Sequence, residues 1–209
     1  MALQNIENII FDLGGVIIDI DPQRAFKALA ALYQGKQSSE QLLSENVQLF
    51  LDYEKGFISD TEFREGIRKL TDNPSIKDEE IDAAWNSMLL HIPVERLQTL
   101  EKLKSQYKIF VLSNTNAIHV SAFNKIIEQN SGKADINHFF DKVYYSHELK
   151  LRKPEPEIYQ HVIDDHNLNV GSTLFVDDRL ENIEAAAAVG LQTFHVQLDQ
   201  GIVDFFAVQ

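Results

Sequence analysis

Short apolar runs and amphipathic stretches alternate along the second half of the chain. Ile9-Ile10-Phe11, Lys108 to Ser113, Lys142 to Ser146, Thr173 to Val176 and Leu191 to Val196 are brief and rich in β-branched and aromatic residues, which predicts strands. Helical periodicity separates the later runs: Val120 to Gln129, Glu157 to about His166, and a segment through Ala185 to Ala188 that closes at Gly190, where a helix takes its C′ glycine. Strands divided by helices argue for an α/β fold with a parallel sheet covered on both faces.

Residues 24 to about 100 follow another pattern. Asp21-Pro22 reads as an N-cap followed by proline at the first helical position, and Phe26, Leu29, Ala30 and Tyr33 then recur at steps of three and four. This stretch predicts a helical insertion between the first strand and the second, returning through a helix around Val94 to Leu97. The expected division is a core domain of residues 1–20 and 95–209 and a helical domain of residues 21–94. The chain has no internal repeat and no low-complexity segment.

Composition narrows the partners. With 209 residues and 44% hydrophobic content the chain is long enough for one core domain and a small accessory one. A net charge of −13 repels nucleic acid and anionic membrane surfaces, so any anionic ligand must be attracted locally. The absence of cysteine rules out disulfides, a thiol nucleophile and thiolate metal sites, and fits a reducing compartment. The opening residues lack a basic targeting segment and the apolar runs are too short to span a bilayer, so a soluble cytoplasmic protein, monomeric or weakly dimeric, is the expectation.

Polar residues stand where the strands end. The first run ends in Asp12, followed by Gly14-Gly15; the second in Ser113-Asn114; the fourth in Asp177-Asp178; and Arg152-Lys153-Pro154 lies between. Singly, each has an ordinary structural explanation. Asp and Gly favour turns, Ser113 and Asn114 are capping types, and Asp178 with Glu181 three residues on reads as a capping pair. Together a carboxylate, a hydroxyl and amide pair, a lysine and an acidic pair form a plausible phosphate-and-metal site at the C-terminal edge of a sheet.

These four segments, in this order, resemble the motifs of the haloacid-dehalogenase superfamily of aspartate-nucleophile hydrolases. Phe11-Asp12-Leu13-Gly14 with Asp19-Ile20-Asp21, and Arg152-Lys153-Pro154-Glu155 with Ile158 to Val162, are most similar to small-capped sugar-phosphate phosphatases, including α-glucose-1-phosphate phosphatases. The resemblance implies a Rossmann-like core with an inserted small helical cap, a Mg2+ cofactor, and hydrolysis of a small phosphorylated metabolite, such as a hexose 1-phosphate, through an aspartyl-phosphate. It casts Asp12 as nucleophile and metal ligand, the Gly14 carbonyl and Asp178 as further ligands, and Asp177 in the metal shell or just outside it. Ser113 and Asn114 then donate to phosphoryl oxygens, and Lys153 pairs with Asp12 and the phosphate.

Gly14 departs from the pattern, because family phosphatases place a general acid two residues after the nucleophile. Asp19 and Asp21 are the available substitutes, and an anomeric leaving oxygen would need less assistance. Glu54-Lys55-Gly56-Phe57 breaks a helical pattern; by resemblance it is the cap loop that reads the substrate, with Glu54 as a contact, and by composition alone it is a helix-to-helix turn. Arg152 reads as a surface or packing residue, Lys150 stands where relatives often carry glycine, Trp85 is expected between cap and core, and Phe205-Phe206 against the core. Two alternatives share the motifs: a 2-haloacid dehalogenase and a non-catalytic phospho-ligand binding protein.

Overall fold

The computed structural model describes residues 5–34, 45–197 and 200–207; residues 35–44 of the expected helical insertion lie outside them. Five parallel strands, β1 (Asn8–Phe11), β2 (Lys108–Ser113), β3 (Lys142–Tyr145), β4 (Thr173–Asp177) and β5 (Gln192–His195), form one sheet in the order β3-β2-β1-β4-β5. Among the described residues, four helices lie between β1 and the core's next helix: α1 (Pro22–Ala31), α2 (Val47–Glu54), α3 (Asp60–Leu70) and α4 (Asp78–Asn86). After them come α5 (Val94–Lys104), α6 (Ala117–Ser131), the single turn α7 (Ser146–Leu149), α8 (Pro156–His166), α9 (Leu180–Ala188) and α10 (Ile202–Ala207).

Strand alternation assigns the side chains to two layers. Ile9 and Phe11 join Ile109, Val111, Leu174 and Val176 in one layer, closed by Leu97, Leu100 and Leu103 of α5, Phe123 and Ile127 of α6, and Ile202 and Phe205 of α10. Ile10, Phe110, Leu112 and Phe175 face the other way, onto Ile158, Tyr159 and Val162 of α8 and Ile183 and Ala186 of α9. Because both faces are buried, the strands read as continuous apolar runs, and each fully buried large side chain contributes roughly 1.5–3 kcal/mol. Phe205 stacks on Phe194, which docks the C-terminal helix on the sheet as expected. Gly190 follows α9 with φ +94°, a conformation that favours glycine.

The helices between β1 and α5 have their own core of Ala25, Leu29, Phe50, Tyr53, Phe63, Ile67, Ile81 and Trp85, joined by Ile118 of α6. Asp21 caps α1 by accepting from the Gln23 N–H at 3.0 Å, and Ser59 and Glu62 form a reciprocal capping box at the start of α3. Trp85 stacks on His119 of α6 with ring centroids 4.9 Å apart, and His119 Nδ1 lies 2.8 Å from Asn86 Oδ1. Burial lowers the His119 imidazole to about 3, so this junction is uncharged. Among the described residues no helix is long and apolar enough to cross a membrane.

Candidate active site

The sheet changes winding direction at β1, and the register there decides which polar residues meet. Phe11 is level with Val111 and Val176, so Asp12 emerges beside Asp177, its N–H donating to the Val176 carbonyl at 2.9 Å. Lys153 comes from the segment between β3 and β4, and its side chain is only 1% exposed. Its Nζ donates to Asp12 Oδ1 at 2.7 Å and to Asp177 Oδ2 at 2.6 Å, and lies 5.4 Å from the centre of the Phe175 ring.

The electrostatics follow from enclosure. Burial pushes the Asp12 carboxyl up to about 7, against the pull of Lys153 and with a further push from Asp177. Burial acting alone would lower Lys153, but Asp12 and Asp177 outweigh it and hold the ammonium above its ordinary range. Asp178 is raised by burial and then by Asp177. Oxygens of Asp12, Asp177 and Asp178 lie within 4.8 Å of one another. Three such carboxylates carry more charge than one lysine balances, and this all-oxygen donor set suits a hard divalent cation such as Mg2+.

The two adjacent acids have different surroundings. Both Asp177 oxygens are occupied: Oδ1 accepts from the Arg179 N–H and from Asn182 Nδ2, each at 2.9 Å, and Oδ2 from Lys153 and, at 3.1 Å, from Asn182 again. Asp177 is therefore better placed to orient Lys153 than to ligate a metal. Asp178 faces Gly15, where an added Cβ would fall 2.2 Å from Asp178 Oδ2 and where φ is +73°. Both facts require glycine. His195 Nε2 lies 3.0 Å from the Asp178 carbonyl oxygen and fixes that peptide. Lys153 leaves Asp12 Oδ2 without a hydrogen bond among the described residues, and the Gly14 carbonyl accepts no backbone one there.

Several residues sit differently from the sequence-based expectation. The Asn114 amide is engaged within the chain: its Oδ1 accepts from the Lys153 N–H and its Nδ2 donates one hydrogen to the Lys153 carbonyl, both at 2.8 Å, so it braces the lysine's backbone. Ser113 is buried at the end of β2, and the cap of α6 is Asn116 rather than Ser113 or Asn114. Asp178 does not cap α9, whose N-cap position is Arg179. Neither substitute for the missing acid is free: Asp21 caps α1, and Asp19 meets Arg96 at 2.7 Å and His91 at 3.2 Å. A Cβ at Gly14 would meet the Ile20 side chain, most closely its Cδ1 at 2.9 Å.

Glu54, at the end of α2, does not stand alone. Its carboxylate pairs with Arg152 at 3.1 Å, Lys55 pairs with Glu155, and Lys150 Nζ donates to the Gly56 carbonyl. Lys150 adopts φ +62°, the left-handed conformation that explains why glycine suits this position. Asn182, Gly15 and Ser146 were not identified from the sequence. Asn182 lies in the first turn of α9, a position from which a polar side chain turns back toward the end of the preceding strand.

Residues 6–190 match the family model of haloacid dehalogenase-like hydrolases, and the chain belongs to that family. It is 34% identical over 191 residues to the D-ribitol-5-phosphate phosphatase of Bacteroides thetaiotaomicron, covering 90% of this chain and 91% of that one. A phosphorylated carbohydrates phosphatase of Thermotoga maritima is 26% identical over 201 residues, 90% of this chain and 84% of its own length. A crystal structure of a family enzyme from Bacteroides thetaiotaomicron, complexed with magnesium and inorganic phosphate, superposes with a TM-score of 0.84 at 36% identity, covering 96% of this chain and 99% of that one.

Proposed function

We propose that this family member is a Mg2+-dependent phosphomonoester hydrolase acting on a small phosphorylated sugar or polyol. The observation that carries the reading is the buried contact of Lys153 with Asp12 and Asp177, next to Asp178, at the C-terminal edge of the sheet. An unassisted carboxylate is repelled by a phosphate dianion, by about 4 kcal/mol per pair of unit charges at about 4 Å and an effective dielectric of about 20. Mg2+, held by Asp12, Asp178 and the Gly14 carbonyl, supplies the charge neutralisation that lets the two approach.

In this reading Asp12 Oδ2 attacks phosphorus, the bond from phosphorus to the leaving oxygen breaks, and an aspartyl-phosphate forms. Water then cleaves the phosphorus–Asp12 bond, releasing phosphate and restoring the carboxylate. Lys153 balances the charge on Asp12 and the phosphoryl group. Ser113 and the N-terminus of α6 donate to phosphoryl oxygens, while the Thr115 N–H is held by Ser146. Residues 21–94 act as the cap, and the Glu54 loop discriminates between leaving groups. Asp178 gives a phosphate-binding cation a ligand that a 2-haloacid dehalogenase has no use for, and the intact Asp12–Lys153 pair favours turnover over mere binding.

The missing acid at Gly14 favours a hexose 1-phosphate, whose anomeric oxygen leaves with little protonation. D-ribitol 5-phosphate is the second reading, supported by the 34% identical relative of that name. Phosphate release from D-glucose 1-phosphate, D-glucose 6-phosphate and D-ribitol 5-phosphate, with Mg2+ and with EDTA, tests both. Turnover should require the metal and be fastest on the 1-phosphate. Gly14→Asp combined with Ile20→Ala, which clears the obstructing Cδ1, should then raise the other two substrates by about tenfold or more. Turnover surviving full chelation would sink the reading, and equal rates on all three substrates would remove the 1-phosphate preference.

A further inference from the structure

We propose that Arg152 is a positioning residue for leaving-group selection, fixing the Glu54 loop of the cap against the segment that carries Lys153. The inference rests on the phosphatase reading above and extends it to a residue without a part in the phosphoryl chemistry.

Each residue from Glu54 to Gly56 is tied to one short stretch of the core. The Glu54 carboxylate meets Arg152 at 3.1 Å, and its carbonyl accepts from the fully buried Ser146 hydroxyl at 2.6 Å. That hydroxyl accepts in turn from the Thr115 N–H at 2.9 Å, which links the loop to the strand end bearing Ser113. Lys55 pairs with Glu155. The Gly56 carbonyl receives Lys150 Nζ, and its α-carbon packs so closely that a Cβ would fall 2.1 Å from the His147 carbonyl oxygen. The loop is thus seated on residues 146–155.

Arg152 is the member of this set with an unmet requirement. Its Nη2 reaches Glu54, while its Nε is buried without a hydrogen-bond partner among the described residues. A guanidinium that leaves a donor unpaired is not arranged for stability alone. Lys153 meanwhile has its own support, since Asn114 holds both its N–H and its carbonyl and two carboxylates hold its Nζ. Loss of the Arg152 side chain therefore frees the Glu54 carboxylate while the loop's backbone ties and the lysine stay in place. Selectivity and phosphoryl chemistry are separable at two neighbouring residues.

The test compares kcat and KM on D-ribitol 5-phosphate and D-glucose 1-phosphate, whose leaving groups are bulky and polar, with those on p-nitrophenyl phosphate, all with Mg2+. Arg152→Gln should lower kcat/KM on the preferred sugar or polyol phosphate by about tenfold or more and change p-nitrophenyl phosphate hydrolysis by less than about twofold. Arg152→Lys, which keeps a cation beside Glu54, should recover most of the loss. Glu54→Gln combined with Arg152→Gln should cost no more on the sugar phosphate than the worse single change, because the two act as one unit. Parallel losses on the aryl phosphate, additive losses in the double variant, or no loss at all would overturn the proposal. A native chain inactive on all three substrates would instead overturn the phosphatase reading beneath it.

Discussion

Lys153 and Arg152 are chain neighbours, and each meets acidic partners under opposite conditions. Lys153 sits 2.7 Å from Asp12 and 2.6 Å from Asp177 with a side chain 1% exposed, whereas Arg152 meets Glu54 at 3.1 Å with side chains 21% and 27% exposed. Removing one partner of a buried pair strands a charge in a poorly polarisable interior and costs roughly 3–5 kcal/mol. A solvent-accessible pair is worth about 0–1 kcal/mol and weakens as salt is added. Burial therefore fixes Lys153, the phosphate end in the proposed reading, whereas the Glu54 loop is held by one hydrogen bond from the buried Ser146 and by side-chain pairs that water and salt reach.

The largest effect expected is at the buried end. Asp12→Asn should cut turnover by about 10⁴-fold or more, because an amide keeps the shape and loses the nucleophile. Far-ultraviolet circular dichroism should stay native; near-native kcat in this variant would place the nucleophile elsewhere. Urea titration sharpens the contrast directly. Lys153→Met should destabilise the fold by roughly 3–5 kcal/mol and Arg152→Gln by about 1 kcal/mol or less, and similar values for the two would erase the distinction.

Asn182→Ala should come next, since it removes both side-chain hydrogen bonds that Asn182 gives to Asp177. Because Asp177 orients Lys153, loosening it should lower kcat by about tenfold or more and leave the Mg2+ concentration needed for half-maximal activity nearly unchanged. An unchanged kcat would make Asn182 a packing residue. Salt should produce the smallest effect. Raising ionic strength from about 0.05 to 0.5 M should alter the ratio of kcat/KM values between sugar phosphates and an aryl phosphate more than it alters the aryl phosphate alone. A uniform decline on all substrates would show that the cap end is not held by the exposed pairs.

Much of the core was legible because parallel strands buried on both faces leave continuous apolar runs ending in polar residues. The segment Lys108 to Ser113 was read with the boundaries the strand has, and Asp12, Lys153, Asp177 and Asp178 meet as their order suggested. The resemblance set Asp178 among the ligands and Asp177 in the metal shell or just outside it, but the hydrogen bonds that occupy Asp177 were not legible. Neighbouring strand residues point in opposite directions, and which one faces Lys153 and Asn182 depends on the packing of α9. The hold of Asn114 on the Lys153 backbone was hidden for a related reason: an amide at a strand end suits an anion and a peptide backbone equally well. Arg152 gave no local sign of its contact with Glu54, because that partner lies 98 positions away on another element. Asp19 was open for the same reason until Arg96 came beside it.

The neutral junction between Trp85 and His119 has a practical consequence. The chain contains one tryptophan, and it lies against α6 where the inserted helices meet the core, 3% exposed and stacked on an imidazole. Its emission is therefore a built-in optical gauge of that boundary, requiring no label. Any movement that unseats α4 from α6 exposes the indole to water and shifts its spectrum, while changes confined to the Glu54 loop leave it silent. One fluorophore can thus report whether a ligand moves the whole insertion or only its rim.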